Sequence, residues 1–201
     1  GVSVAIAAVE HILARKLASP SQPMVVNMSL GQNIGHSTYT ALDIAVQAAI
    51  DAGVVFVVSA GNEGIDAQHV TPAHVHDAIT VGSHDMMGRH SWFSNYGPIV
   101  DLLAPGEMIL SVTPPSANGS NAPAFMSGTS MSAAHVTGAA ALFLAQYPSA
   151  SPAQVRNALV ASAHAKIQGV PAGTTNRMSW VGDLQDRQER AQATEEGAAG
   201  E

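Results

Sequence analysis

The chain of 201 residues carries a formal net charge of −7, with 46% apolar and only 11% charged residues. That length suffices for one domain with a real core, and the composition excludes a coiled coil, a disordered chain and a basic nucleic-acid binder. It holds no cysteine, which excludes disulfides and thiolate metal sites, and no apolar run reaches the roughly 18 residues of a membrane span.

The opening stretch, GVSVAIAAVEHILARK, lacks the basic start and cleavage pattern of a secretory leader. Val2, Ile6, Val9, Leu13 and Leu17 recur at helical spacing and predict a helix. MVVNMSL at 24–30 predicts a buried strand. Leu42, Ala45, Val46 and Ala49 mark a second helix, ended by Gly53. VVFVVSA at 54–60 is β-branched and uncharged and predicts a second buried strand, and shorter strands are expected at 78–82, 99–102 and 109–112.

SGTSMSAAHVTGAAALFLAQY at 127–147 predicts a helix from Ser130 onward. In the last helix Ser151 is the expected N-cap, Pro152 opens the first turn and Gln154 completes a capping box. Strands alternating with helices predict an α/β fold, a parallel sheet covered by helices on both faces. Residues 1–182 form the expected domain. Residues 183–201 hold six acids and two arginines and no apolar face, which predicts an acidic, disordered tail.

Open parallel sheets bind ligands at the C-terminal ends of their strands. Two strands here end in polar, glycine-bearing loops, NMSLG at 27–31 and SAGNEG at 59–64, although either loop alone also suits an ordinary turn. Ser130 admits two readings. Judged by its immediate neighbours, a hydroxyl at a helix start is first of all an N-cap. The same place suits a nucleophile, because backbone N–H groups and the helix dipole there favour a developing oxyanion. His135 lies five residues on, about 140° around the helix, and is expected to be buried and bonded elsewhere rather than to serve as the base. His74 and His76 flank Val75 without a third metal ligand in the pattern, and His84 and His90 fall in loops.

Five segments then occur in order: VVNMSLG, GVVFVVSAGNEG, TPAHVHDAITVGS, FSNYGPIVDLLAPG and SGTSMSAAHVTGAAAL. Together they resemble the subtilisin-like serine proteases, and DAQHVTPA and GVPAGTTNRMSWVG point to the proteinase K-like, aqualysin-type branch. The resemblance covers residues 1–182. It implies that Ser130 is the nucleophile and that Asn62 donates its side-chain amide to the oxyanion. It implies that Ser29, Leu30 and Gly31 pair with a polypeptide substrate as an added strand. Ser59, Ala60 and Gly61 would line the first specificity pocket, with Val70, Thr71 and Pro72 near its far end. Asp101, with the carbonyls of His76 and Ala78, matches a structural calcium site of that branch. Secretion follows from the resemblance as well.

The sequence departs from the family where the base should be. The family's D-[ST]-G and H-G-T-H motifs do not occur in these 201 residues, and His36 in IGHST does not match either. Ala134 stands where the family usually has a proline inside the helix, a change that favours the helix. The expectation is therefore the nucleophile and oxyanion portion of a longer serine endopeptidase, inactive alone, whose other partner is the missing N-terminal part of the domain. Without the early strands, the strand at 24–30 becomes an apolar sheet edge. The alternatives are a non-catalytic pseudoprotease that keeps the peptide groove, and an unrelated α/β hydrolase that uses another histidine. No nucleic-acid or membrane partner is expected.

Overall fold

The computed structural model describes residues 1–35, 39–113 and 122–182. His36 and the acidic tail lie outside them. The elements in chain order are α1 (Val2–Ala18), β1 (Val25–Met28), β2 (Gln32–Asn33), α2 (Ala41–Asp51), β3 (Val55–Ser59), β4 (Val70–Thr71) and β5 (Ile79–His84). They continue as β6 (Leu102–Pro105), β7 (Ile109–Val112), β8 (Pro123–Met126), α3 (Thr129–Gln146), α4 (Pro152–Ser162), β9 (His164–Ala165) and β10 (Arg177–Met178).

The main sheet has the order β1-β3-β5-β6-β10-β9, parallel throughout except for the antiparallel β9. Its strands need no polar face because both faces are covered. Along β3 the side chains alternate between two cores. Val55 and Val57 pack with Ala133, Val136 and Ala140 of α3, whereas Phe56 and Val58 pack with Val9 of α1 and Val46 of α2. The small residues of α3 let it lie close on the sheet, where it touches β1, β3, β5 and β6. β1 sits at the edge and pairs only with β3 among the described strands, with Val25 and Val26 half-buried and Asn27 exposed. This is the expected apolar edge.

Local signals set several ends. At α4, Ser151 Oγ accepts from Gln154 N at 3.2 Å and Ser151 N donates to Gln154 Oε1 at 2.8 Å, the expected capping box. α2 has a box of its own, Thr40 with Asp43. Gly53 follows α2 at φ +97°, and a Cβ there would meet Lys16 Cε at 3.3 Å.

Other expectations are corrected. On α1 the exposed Val2 and Leu17 lie off the packed face, and Lys16 is buried instead, its Nζ donating to the Gln22 carbonyl at 2.8 Å. The apolar stem covers Gly53 while the ammonium finds an acceptor. The strand expected at 99–102 begins at Leu102, because Val100 N closes a turn onto the Gly97 carbonyl and spends Ile99 and Val100 there. β7 forms where expected but outside the main sheet, in an exposed hairpin with β8. Strands β8, β9 and β10 carry no periodicity that distinguishes them from loops.

Phe56→Ala should destabilise the domain by about 3–5 kcal/mol in urea unfolding, since it empties a fully buried aromatic site. Leu17→Ala should fall within about 0.5 kcal/mol of wild type, and a large loss there would overturn the assignment of the packed face.

Candidate active site

Ser130 is the second residue of α3, and its N-cap is Gly128. The N-cap reading of Ser130 is therefore corrected. The acceptor that a cap residue would supply comes from elsewhere in the chain: Asn62 Oδ1 accepts from Thr129 N at 2.8 Å and from Thr129 Oγ1 at 2.9 Å. Thr129 Oγ1 in turn accepts from Gly61 N at 3.2 Å. With the first N–H of the helix satisfied by Asn62, the Ser130 hydroxyl is left out of capping. Among the described residues it reaches only the Ser29 carbonyl, at 3.5 Å, while Ser29 Oγ donates to the Ser130 carbonyl at 2.9 Å. These two contacts fasten the end of β1 to the start of α3.

The same pattern fixes the carboxamide of Asn62. Its oxygen faces two donors, so Nδ2 points away from them, and among the described residues it donates to nothing. A half-buried serine at a helix start thus stands next to a residue whose carboxamide presents an unspent donor. This is the chemistry an acyl-transfer oxyanion demands.

His135 is bonded elsewhere, as expected, its Nδ1 meeting the Met131 carbonyl at 2.8 Å. It is exposed, however, not buried, and shares with Ser130 a groove of about 430 Å³ beside Ile109 and Met126. Among the described residues no imidazole is hydrogen-bonded to Ser130 Oγ.

The Ser29–Leu30–Gly31 stretch follows β1 with no strand partner among the described residues. Immediately beyond it, β2 pairs antiparallel with β4, setting Gln32 against Thr71 and Asn33 against Val70. A Cβ on Gly31 would lie 3.1 Å from the Thr71 carbonyl, so the backbone there needs glycine or a small shift. Leu30, Gly31, Thr71 and Leu42 border a cavity of about 250 Å³. Ser59 and Ala60 are buried at the end of β3, and Val70 and Thr71 are buried in β4.

β4 is anchored by a buried carboxylate that the sequence did not single out. Asp43 is fully buried and accepts from Thr71 Oγ1 at 2.5 Å, Thr40 N at 2.6 Å and Thr40 Oγ1 at 2.7 Å, with His74 Nε2 2.9 Å away. Burial alone would raise its pKa, but the hydrogen bonds outweigh burial and hold it below 3.8. The α2 capping box thus doubles as a tie between α2 and the strand beside Gly31.

Asp101 is also buried, its side chain only 7% exposed. Its Oδ1 takes both Nε and Nη2 of Arg156, and its Oδ2 accepts from Thr80 N at 2.9 Å. Burial raises its pKa despite the guanidinium. His76 turns its side chain to solvent, and Ala78 is buried. As arranged, these residues do not fit a calcium ion, because a cation on Asp101 would face the guanidinium that already neutralises it. Among the described residues there is no group of three His, Asp or Glu able to hold a metal.

The chain is an α/β domain, a parallel sheet covered on both faces, with a serine at a helix start beside a carboxamide donor that no described residue uses. Comparison with known proteins narrows the class. The subtilase family model, Peptidase_S8, matches residues 2–198, and the chain belongs to that family. It is 50% identical over 139 residues to an extracellular serine proteinase of Thermus sp. (strain Rt41A), covering 69% of this chain and 32% of that protein. It is 41% identical over 161 residues to alkaline serine exoprotease A of Vibrio alginolyticus, covering 80% of this chain and 28% of that protein. Among solved structures, a cold-adapted subtilisin-like serine proteinase matches with a TM-score of 0.74 at 38% identity, covering 86% of this chain and 59% of that one. The chain therefore spans about a third of the length of these curated relatives.

Asp43→Asn should flatten the acid limb of the stability profile. The native carboxylate titrates below its unfolded value, so its contribution is present above pH 3.8 and is lost as pH falls through the lowered native value. Urea midpoints at neutral and acid pH measure this, and an unchanged slope would refute it. Arg156→Ala should cost about 3 kcal/mol by leaving a buried carboxylate unpaired. Added calcium should then raise the Tm of the variant and leave that of wild type unchanged at this site.

Proposed function

We propose that this chain carries the nucleophile, the oxyanion donor and the peptide-pairing edge of a serine endopeptidase. The observation that carries the reading is the carboxamide of Asn62, pinned through its oxygen by Thr129 with Nδ2 free, one residue before Ser130. Ser130 Oγ attacks the scissile carbonyl of a polypeptide. The resulting oxyanion is held by Asn62 Nδ2 and the backbone N–H of Ser130, and the acyl-enzyme is then hydrolysed by water. Ser29, Leu30 and Gly31, unpaired in the structure, take the substrate backbone as an added strand, which favours extended peptide over folded substrates. Ser59, Ala60 and Gly61, with Val70 and Thr71, form the wall of the first specificity pocket.

The base is supplied by a histidine outside these 201 residues and oriented by an aspartate that also lies outside them. Three surfaces support a covering segment of the same protein: the β1 edge, the small residues Ala134, Gly138 and Ala141 exposed along α3, and the exposed Leu110, Val112 and Phe125 of the β7–β8 hairpin. The relative in Thermus is an extracellular proteinase by name, and secretion is the localisation proposed for this one. No helix among the described residues is long and apolar enough to cross a membrane.

A serine-directed fluorophosphonate tests the assignment. It should label the full-length protein at Ser130, should not label the Ser130→Ala variant, and should not label residues 1–182 expressed alone. Failure to label the full-length protein would support a peptide-binding pseudoprotease, and labelling of the isolated segment would require a base within it. Asn62→Leu should lower kcat by about 10²–10³, a range measured on the corresponding amide of subtilisin, with KM little changed.

A further inference from the structure

The side chain of Asn62 is held by Thr129, but its backbone is held by a separate device. Asn95, fully buried in the loop between β5 and β6, sits inside the turn that follows β3. Its Nδ2 donates to the Ala60 carbonyl and to Glu63 Oε2, both at 2.8 Å. Its Oδ1 accepts from Glu63 N and Ile65 N, both at 3.0 Å, and its own backbone N donates to the Gly61 carbonyl at 3.0 Å. Both donors and both lone pairs of the carboxamide are thus spent on residues 60–65. The fit leaves no room for a side chain at Gly61, where φ is +105° and a Cβ would lie 2.1 Å from Asn95 Nδ2.

Glu63 extends the device to Asn62. The oxygen that takes the Asn95 amide, Oε2, also accepts from Asn62 N at 2.9 Å. The backbone N–H of Asn62 is therefore spent on Glu63, and among the described residues the donors of Nδ2 meet no acceptor. Glu63 is itself exposed and belongs to none of the apolar clusters, so its contacts here are the polar ones to Asn95 and Asn62. Its carboxylate joins the buried Asn95 to the one backbone group from which the Asn62 side chain hangs.

We propose that Glu63 is a positioning residue for the oxyanion amide, acting through Asn62 on the scaffold of Asn95. The proposal rests on the endopeptidase reading above. It assigns Glu63 no contact with the reacting atoms. With the Glu63 anchor gone, the Asn62 backbone gains freedom that Thr129 alone does not remove, and the amide loses aim at a charge that exists only in the transition state. The loss then falls on kcat and spares KM.

The test is a double-mutant cycle on the full-length protein with a small peptide substrate. Glu63→Ala should lower kcat about tenfold with KM within about twofold, and should lower Tm equally in the wild-type and Asn62→Leu backgrounds, because the buried Asn95 Nδ2 loses an acceptor in both. Glu63→Gln, which keeps an acceptor for Asn62 N, should stay within about threefold of wild type. In the Asn62→Leu background, Glu63→Ala should cost less than about twofold, because the amide it aims is already gone. A wild-type kcat for Glu63→Ala, an effect confined to KM, or an equal loss of kcat in both backgrounds would each overturn the proposal while leaving the endopeptidase reading intact. Wild-type kcat for Asn62→Leu itself would overturn the oxyanion reading and this inference with it.

Discussion

The two bonds from Thr129 to Asn62 Oδ1 are the constraint on which the rest of the site depends. They join the end of β3 to the beginning of α3, two elements far apart in sequence. They satisfy the first N–H of the helix without using the serine, and they set which end of the carboxamide faces away from Thr129. A helix start normally recruits the nearest hydroxyl as its cap. Here a side chain from the loop after β3 takes that duty, and the Ser130 hydroxyl is left out of it.

Such a clamp needs a rigid base, and the sheet supplies it. β3 is buried on both faces, with Val55 and Val57 under α3 and Phe56 and Val58 under α1 and α2. The helix that carries Ser130 presents alanines to that surface, so it lies close and cannot shift without opening the core. The loop after β3 is braced from the side by Asn95, and β4 is braced by Asp43. Each brace is a buried polar group with its bonding capacity met, which is how a polar loop keeps one conformation at the edge of an apolar core.

Much of this was legible in the residues. The uncharged, β-branched run at 54–60 could only be a doubly covered strand, and Ser151, Pro152 and Gln154 marked the start of α4 to the residue. Elements of two residues, such as β9 and β10, carry no period to detect and owe their pairing to neighbours distant in sequence. Ile99 and Val100 were apolar enough for a strand, yet a turn onto Gly97 used them first. The ordered loop motifs pointed to Ser130 and Asn62. They did not reveal Thr129, Glu63, Asn95 or Asp43, whose roles include bonds across 28 to 67 positions of chain.

The sequence by itself determined the class of fold and the family, and it singled out Ser130 and Asn62 as candidates, because these follow from local pattern and from motif order. The tertiary structure decided what those residues are free to do. It moved the cap from Ser130 to Asn62, turned the Asn62 amide outward, and set His135 against its own helix backbone. It also placed Arg156 against Asp101. Each of these is a competition between partners for one donor or acceptor. Its outcome depends on which groups the fold brings within about 3 Å of one another, and no spacing along the chain encodes that.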